Sequence, residues 1–251
     1  ENIILASIYA EGITQITNAA MEPEIVDLAK CLNKMGAKIT GAGTNIIKIT
    51  GVQKLKDIGY KVMQDRIEAG TLLCAGAITG GNICLNYRTP EHITPILNKL
   101  EEAGCDINIE KNKVYMQAPK KMKAVDIKTM PYPGFPTDMQ SIFASTLTTA
   151  KGTSVIVENI FENRYRYTAE LNKMGAKITT EGKTAVIKGV KKLSGATVKS
   201  TDLRGGACMV LAGLSAKGIT TVTNVEYILR GYENLDKKLN SLGAKITIQK
   251  D

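Results

Sequence analysis

The nine-residue run Leu-Asn-Lys-Met-Gly-Ala-Lys-Ile-Thr occurs twice in this chain, at residues 32–40 and 171–179. A near copy, Leu-Asn-Ser-Leu-Gly-Ala-Lys-Ile-Thr, fills residues 239–247, and a more diverged one, Leu-Glu-Glu-Ala-Gly-Cys-Asp-Ile-Asn, fills residues 100–108. Their glycines, Gly36, Gly104, Gly175 and Gly243, stand 68, 71 and 68 residues apart. A second marker keeps the same rhythm. Gly12, Gly81, Gly152 and Gly218, spaced by 69, 71 and 66, each end a small-residue apolar segment and precede a β-rich run. Two independent markers in step over four units predict four copies of one supersecondary module. A period near 70 exceeds the roughly 20–50 residues of short-period solenoids, so each module has room for a small sheet of its own.

In the first module, residues 3–10 are apolar almost all round. That is the pattern of a helix buried on every side, and Gly12 closes it. Residues 13–17 alternate and are β-branched, as a strand should be. Met21-Glu22-Pro23-Glu24 opens a second helix, because proline is tolerated in a first turn and acids suit the positive end of the helix dipole. Ile25, Leu28, Ala29 and Leu32 give it one apolar face. Gly36 stops it, and residues 37–40 and 46–50 form a hairpin around Gly41-Ala42-Gly43. With a strand expected before the first helix, the module reads β-α-β-α-β-β. The corresponding helices are expected at 139–150 and 165–174 in the third module, and at 207–216 and 232–242 in the fourth. The fold class is therefore α/β, with the all-apolar helices gathered inside and the sheets outside.

The 251 residues are 43% hydrophobic and 23% charged, which suits one or two globular domains. No apolar run approaches the roughly 20 residues of a membrane span, and the start shows no signal-peptide pattern. Cys31, Cys74, Cys84, Cys105 and Cys208 include no CxxC pair and His92 is alone, which argues against a zinc site. Most of these thiols lie in apolar segments, so a reducing, cytosolic compartment is expected. The net charge of +9 suits nucleic acid, a membrane surface or phosphorylated small molecules. Nucleic-acid binding usually adds dense basic runs and stacking aromatics. Here aromatics are 5%, tryptophan is absent and lysine is dispersed, so neither nucleic acid nor membrane is expected as a partner.

Special residues concentrate in three stretches at the same place in the repeat, just before a first helix: residues 64–71, 132–140 and 200–206. Thr137-Asp138 and Thr201-Asp202 share a dipeptide in register. An aspartate there reads as a helix N-cap. Stacked modules would also place Asp65, Asp138 and Asp202 near one another on one face, which costs energy unless cations, substrate or protonation offset it. Cations stand at the other joint, between the first β-run and the second helix, where Arg164 and Arg230 hold equivalent points. Arginine clamps carboxylate or phosphate with two parallel bonds; a solubilising surface arginine is the plainer reading.

Six strings spread over the whole chain resemble the enolpyruvyl transferases. They are Asn-Ala-Ala-Met-Glu22-Pro-Glu24-Ile-Val-Asp-Leu, Asp65-Arg66-Ile-Glu68-Ala-Gly-Thr, Tyr-Pro-Gly-Phe-Pro-Thr-Asp138-Met-Gln, Ile160-Phe-Glu-Asn-Arg164, Thr-Asp202-Leu-Arg204 and Arg230-Gly-Tyr-Glu. The resemblance implies two domains of three modules each, in an inside-out α/β barrel. On that pattern residues 1–63 are the last module of the first domain. Residues 64–251 are most of the second, in modules at about 64–130, 131–196 and 197–251. The family also carries a cysteine loop of the form Gly-Cys-x-Ile-Gly-x-Arg-Pro and a Lys-Asn pair, and these 251 residues contain neither in that setting. The chain is thus expected to correspond to about the last three-fifths of such an enzyme. Its expected partner is the missing N-terminal portion, and alone it should be inactive.

The activity the resemblance implies is transfer of the enolpyruvyl group from phosphoenolpyruvate to the 3′-hydroxyl of UDP-N-acetylglucosamine. Phosphate is released by addition and elimination through a tetrahedral ketal. That is a cytoplasmic, committed step of peptidoglycan synthesis, and so of cell-wall biogenesis, cell shape and division, with no metal or organic cofactor. Asp138 matches an aspartate that contacts the sugar hydroxyl and is a candidate base. Asp202 matches a second catalytic aspartate, and Arg164, Arg204 and Arg230 match arginines that hold the donor's carboxylate and phosphate. Ile160 matches an apolar residue near the nucleotide sugar, and Glu22, Glu24, Arg66 and Glu68 match residues near the domain junction and cleft. The alternative is a non-catalytic binding module derived from such an enzyme, against which the complete Asp and Arg set stands.

Overall fold

The structure, a computed structural model, describes residues 1–249. The chain forms two compact units, one of Glu1–Gln64 with Pro131–Gly134, the other of Asp65–Met130 with the residues from Phe135 onward.

In the first unit, α1 (Asn2–Ser7) leads to β1 (Ile13–Thr17), α2 (Pro23–Met35), β2 (Lys38–Thr40) and β3 (Ile46–Thr50). The strands form one antiparallel sheet in the order β1-β3-β2, with Ile16 opposite Ile47 and Ile39 opposite Ile49. Ile25, Ala29 and Leu32 of α2 pack with Ile39, Ile47 and Ile49 in a small core that also takes in Ile4 and Ile8. One expectation fails. The segment at 3–10 is not buried on every side: Ile3, Leu5 and Tyr9 are 59%, 48% and 61% exposed. A single sheet and one further helix offer α1 one packing surface, and among the described residues this unit has no other helices to cover the rest.

The second unit holds three central helices: α3 (Arg66–Thr79), α5 (Gln140–Leu147) and α7 (Leu203–Ser215), each packed against the other two. Every residue of α5 is buried, as are most of α3 and α7, which is the inside arrangement the all-apolar segments predicted. Around α3 lie β4 (Asn82–Asn86), α4 (Thr94–Glu102), β5 (Asp106–Glu110) and β6 (Lys113–Gln117), the strands pairing antiparallel in the order β4-β6-β5. Around α5 lie β7 (Ile127–Lys128), β8 (Thr153–Val157), α6 (Tyr167–Lys173), β9 (Lys177–Glu181) and β10 (Thr184–Lys188), in the order β7-β8-β10-β9. β7 runs parallel to β8, with α5 as the crossover. The last module contributes β11 (Thr197–Lys199), parallel to β12 (Thr221–Thr223), and the helices α8 (Glu226–Leu229) and α9 (Leu235–Ser241).

The repeated string has a local explanation. Gly36, Gly104, Gly175 and Gly243 all have φ near +100° (from +87° to +111°), a left-handed turn that costs glycine nothing. The asparagine three positions earlier staples the helix to the segment that follows the turn. Asn33 accepts the Ile39 N–H and donates to the Ile39 carbonyl, both at 2.8 Å. Asn172 does the same to Ile178 and Asn240 to Ile246. In the second module the position is Glu101.

Five local features differ from the sequence reading. Gly80, not Gly81, takes the left-handed turn after α3. α3 and α7 begin at Arg66 and Leu203, inside the stretches expected to precede them. The glycines there serve close packing: a Cβ on Gly70 would lie 2.8 Å from Met139 Sδ, and one on Gly206 2.5 Å from Ile228 Cγ1. Residues 53–65 supply no strand ahead of α3. Residues 244–249 form no hairpin: Ile246 is held by Asn240, but no return strand is present among the described residues.

Candidate functional site

The three aspartates in register start the three central helices, and the structure uses them differently. Asp65 caps α3, its Oδ1 accepting the N–H groups of Ile67 at 2.7 Å and Glu68 at 3.1 Å. Asp202 caps α7, accepting the N–H groups of Arg204 at 3.0 Å and Gly205 at 2.9 Å, while its other oxygen accepts the Thr201 hydroxyl at 3.0 Å. Asp138 caps nothing. The chain enters α5 through a 3₁₀ turn, Thr137–Met139, in which the Met139 N–H is already satisfied by the Pro136 carbonyl at 3.0 Å.

The Asp138 carboxylate is instead held between two guanidinium groups. Arg164 donates from Nη2 to Oδ1 at 2.6 Å, and Arg204 donates from Nε and Nη2 to Oδ2 at 3.3 and 3.2 Å. Arg204 stands in the first turn of α7, fixed by the Asp202 cap. Arg164 stands in the loop between β8 and α6, in a different module. Each guanidinium also lies over a ring, Arg164 5.1 Å from the Phe161 centroid and Arg204 5.2 Å from that of Tyr232. Tyr232 is anchored to α3 through a 2.9 Å bond between its hydroxyl and that of Thr71.

Burial works to raise the Asp138 carboxyl, but the charge of Arg204 and the bond and charge of Arg164 outweigh it and hold the group below its ordinary value. Burial likewise disfavours the charged Arg204, and Tyr232, Asp138 and Asp65 together offset it. The Nη1 of Arg204 is buried with no hydrogen-bond partner.

The remaining expected residues fall around this cluster or outside it. Asp65 acts on Arg204 through its charge, as Asp138 does, whereas the Asp202 carboxylate is taken up by its cap. Ile160 is 36% exposed, and its N–H donates to Glu158 at 2.8 Å. Arg66 is buried in the first turn of α3, and Glu68 forms an ion pair with Lys238 of α9. Arg230 is exposed at the end of α8, its guanidinium 5.8 Å from the Tyr227 ring centroid and outside the hydrogen-bonded set around Asp138. Glu22 and Glu24 belong to the other unit, at the start of α2. Among the described residues no group of three His, Cys, Asp or Glu side chains could hold a metal ion, no helix is long and apolar enough to cross a membrane, and all five cysteines are free.

Sequence reasoning missed Glu158. It is 1% exposed and accepts four hydrogen bonds. A charge ending an alternating strand reads as solvated, and the only available signal was the pair of threonines, Thr129 and Thr137, that the fold brings to it.

A family model described as EPSP synthase (3-phosphoshikimate 1-carboxyvinyltransferase) matches residues 1–239. UDP-N-acetylglucosamine 1-carboxyvinyltransferase 1 of Caldanaerobacter subterraneus is 53% identical over 246 residues, covering 98% of this chain and 59% of that protein. The UDP-N-acetylglucosamine 1-carboxyvinyltransferase of Myxococcus xanthus is 51% identical over 250 residues, covering 100% of this chain and 60% of its own length. Among solved structures, the enolpyruvyl transferase NikO from Streptomyces tendae matches with a TM-score of 0.86 at 25% identity, over 96% of this chain and 58% of that one. An EPSP synthase from Acinetobacter baumannii shares the fold, with a TM-score of 0.75 at 21% identity over 99% of this chain and 60% of that one. The chain thus spans about three-fifths of the length of the curated relatives it matches.

Proposed function

The chain belongs to the enolpyruvyl transferase family, and we propose that it carries the Asp–Arg part of a site that transfers the enolpyruvyl group of phosphoenolpyruvate to the 3′-hydroxyl of UDP-N-acetylglucosamine, releasing phosphate. The observation that carries this reading is Asp138, freed from capping and set between Arg164 and Arg204. The relatives that are 51–53% identical bear the name of this activity.

The chemistry follows from the charges. A highly anionic donor needs fixed cations, and Arg164 and Arg204 offer two forks on one spot. The unpartnered Nη1 of Arg204 is a donor ready for the donor's carboxylate or phosphate. Clamped by both arginines, Asp138 is ionised but a weak base. As the donor takes over part of their charge, the pairing that depresses Asp138 weakens and its affinity for a proton rises. It can then take the proton of the attacking sugar hydroxyl as the tetrahedral ketal forms. Asp202 holds the turn that presents Arg204. Carrying a proton itself at another step requires it to release the Thr201 hydroxyl. Arg230 and Ile160 would complete the substrate contacts, with Arg66 and Glu68 around them.

The remaining two-fifths of the relatives' length is the partner this reading requires. Both substrates are too charged to cross a bilayer unaided and five free cysteines suit a reducing compartment, so we place the activity in the cytoplasm. The test is a fusion: this chain joined behind the portion of the Caldanaerobacter relative that it does not match. Phosphate release that depends on both substrates is expected from the fusion and not from the 251 residues alone. A folded fusion that releases none refutes the assignment.

A further inference from the structure

Glu158 is the only buried carboxylic acid among the described residues, and no cation pairs with it there. Its carboxylate is bound by uncharged donors from two sides. Oε1 accepts the Thr129 hydroxyl at 2.8 Å and the N–H groups of Ile160 at 2.8 Å and Phe161 at 3.2 Å. Oε2 accepts the Thr137 hydroxyl at 2.9 Å. Asn159 closes the knot, its N–H donating to Thr129 Oγ1 at 2.9 Å and its side-chain amide to the Thr129 carbonyl at 3.1 Å. Thr137 directly precedes Asp138. Ile160 and Phe161 open the loop that ends at Arg164, and the Phe161 ring lies under the Arg164 guanidinium.

We propose that Glu158 is a positioning residue that sets the spacing of the Asp138–Arg164 pair, each of its oxygens holding the segment that carries one member. This role rests on the transfer reading for its consequence in turnover, though not for its geometry. Burying a carboxylate is costly, and holding one segment alone needs only a hydroxyl. The planar two-pronged head group adds two hydrogen-bonding atoms at a fixed separation, here one toward each segment, a geometry that glutamine keeps and a single hydroxyl lacks. Thr129, beyond the end of β7, ties both to the sheet.

The test compares Glu158→Ala, Glu158→Gln and Thr137→Val. In the 251-residue chain, ¹⁵N NMR of the arginine side chains reports the Arg164–Asp138 bond, with the Arg164 signal assigned by its loss in Arg164→Lys. Glu158→Ala should abolish the slow exchange of the Arg164 Nη protons in molecules that remain folded. Glu158→Gln should preserve it, because the amide oxygen can still accept the three donors at Oε1 and the Thr137 hydroxyl can turn to accept from the amide NH₂. In the fusion, the alanine variant should lose about 10²-fold in turnover, the scale of a misplaced reacting group, with the glutamine variant within a few-fold of the parent. A purely structural role would lower the unfolding midpoint while leaving the Arg164 signal of folded molecules unchanged, and that outcome overturns the proposal. If the alanine variant does not fold, Thr137→Val decides, since it cuts only the Oε2 link: weakened Arg164 protection supports the proposal and an unchanged signal overturns it. A parent fusion without turnover would sink the transfer reading, yet the NMR result would still decide the positioning role.

Discussion

Asp138→Asn keeps the shape of the side chain and removes the negative charge from between two guanidinium groups. Three hydrogen bonds are at stake, one of 2.6 Å and two of 3.2 and 3.3 Å. A hydrogen bond to a charged group contributes about 1.5–3 kcal/mol. Two of these are long, the Asp138 side chain is 40% exposed, and solvent screens such a pair. Asparagine can still accept from one arginine. The net loss is therefore about 1–2 kcal/mol at neutral pH. The folded-state pKa of Asp138 lies below the ordinary 3.8. Its contribution is thus present above that value and disappears as the pH falls through the depressed folded value. Urea unfolding, followed by the near-ultraviolet signal of the buried Tyr87, Tyr167 and Tyr232 of the second unit, should show the full gap between parent and variant at pH 7. The gap should shrink steadily in acid and narrow at high salt. A gap of the same size on both sides of the carboxylate range, or none at pH 7, refutes the ion-pair account. In the fusion, the same substitution should cut turnover by about 10²–10⁴-fold, the worth of one acid–base group. Near-normal turnover would remove Asp138 from the chemistry.

Arg164→Lys and Arg204→Lys in the fusion should each raise the KM for phosphoenolpyruvate by about tenfold, because an ammonium cannot replace a two-pronged fork; affinity for the nucleotide sugar should change much less, and the reverse pattern counts against the assignment. Arg230→Lys, at a position outside the hydrogen-bonded set, tests by the same assay whether that arginine joins the site once substrate is bound. Asn172→Ala removes both bonds to the Ile178 backbone and should lower stability by about 1–3 kcal/mol, read as a shifted urea midpoint; an unmoved midpoint would make the repeated asparagine dispensable. Thiol titration of the native chain should modify exposed Cys84 first and half-buried Cys31 next. Burial raises Cys105 to about 11 and raises Cys74 and Cys208 as well, so these should react only on unfolding; five thiols reacting together would contradict the packing of α3 and α7.

The architecture was legible because it repeats. Glycines at a fixed period mark left-handed turns that few other residues tolerate, and all-apolar segments mark helices with no solvent face. The same logic misjudged α1, whose apolar sequence says nothing about how many neighbours its own unit supplies. It also placed Gly205 and Gly206 ahead of the helix, whereas both lie inside α7, where Thr201 and Asp202 crowd the first and Ser200 and Ile228 the second. Within the candidate site, Asp138 stood out by register with Asp202, and Arg164 by residue type and register with Arg230, which the structure leaves outside the hydrogen-bonded set; Arg204 entered through the resemblance. Glu158 did not stand out, because the hydroxyls that bind it come from residues 129 and 137, and nothing in the sequence around it distinguishes a buried strand-terminal glutamate from a solvated one.

The register of the three aspartates explains how a repeat can build a site at all. In two modules the residue does what its position favours: Asp65 and Asp202 each take two backbone N–H groups of the helix they start. In the middle module the turn before α5 is wound as 3₁₀, and Pro136 supplies the acceptor that the helix start needs. Asp138 is thereby released from a structural duty that its equivalents cannot leave without exposing orphan amides. The next module and a loop of its own module supply what the freed carboxylate requires. Asp202, by capping, fixes the turn that presents Arg204, and Glu158, on our proposal, fixes the loop that presents Arg164. A substitution that restored capping at position 138, or straightened the Thr137–Met139 turn into α-helix, would therefore disarm the cluster without touching either arginine.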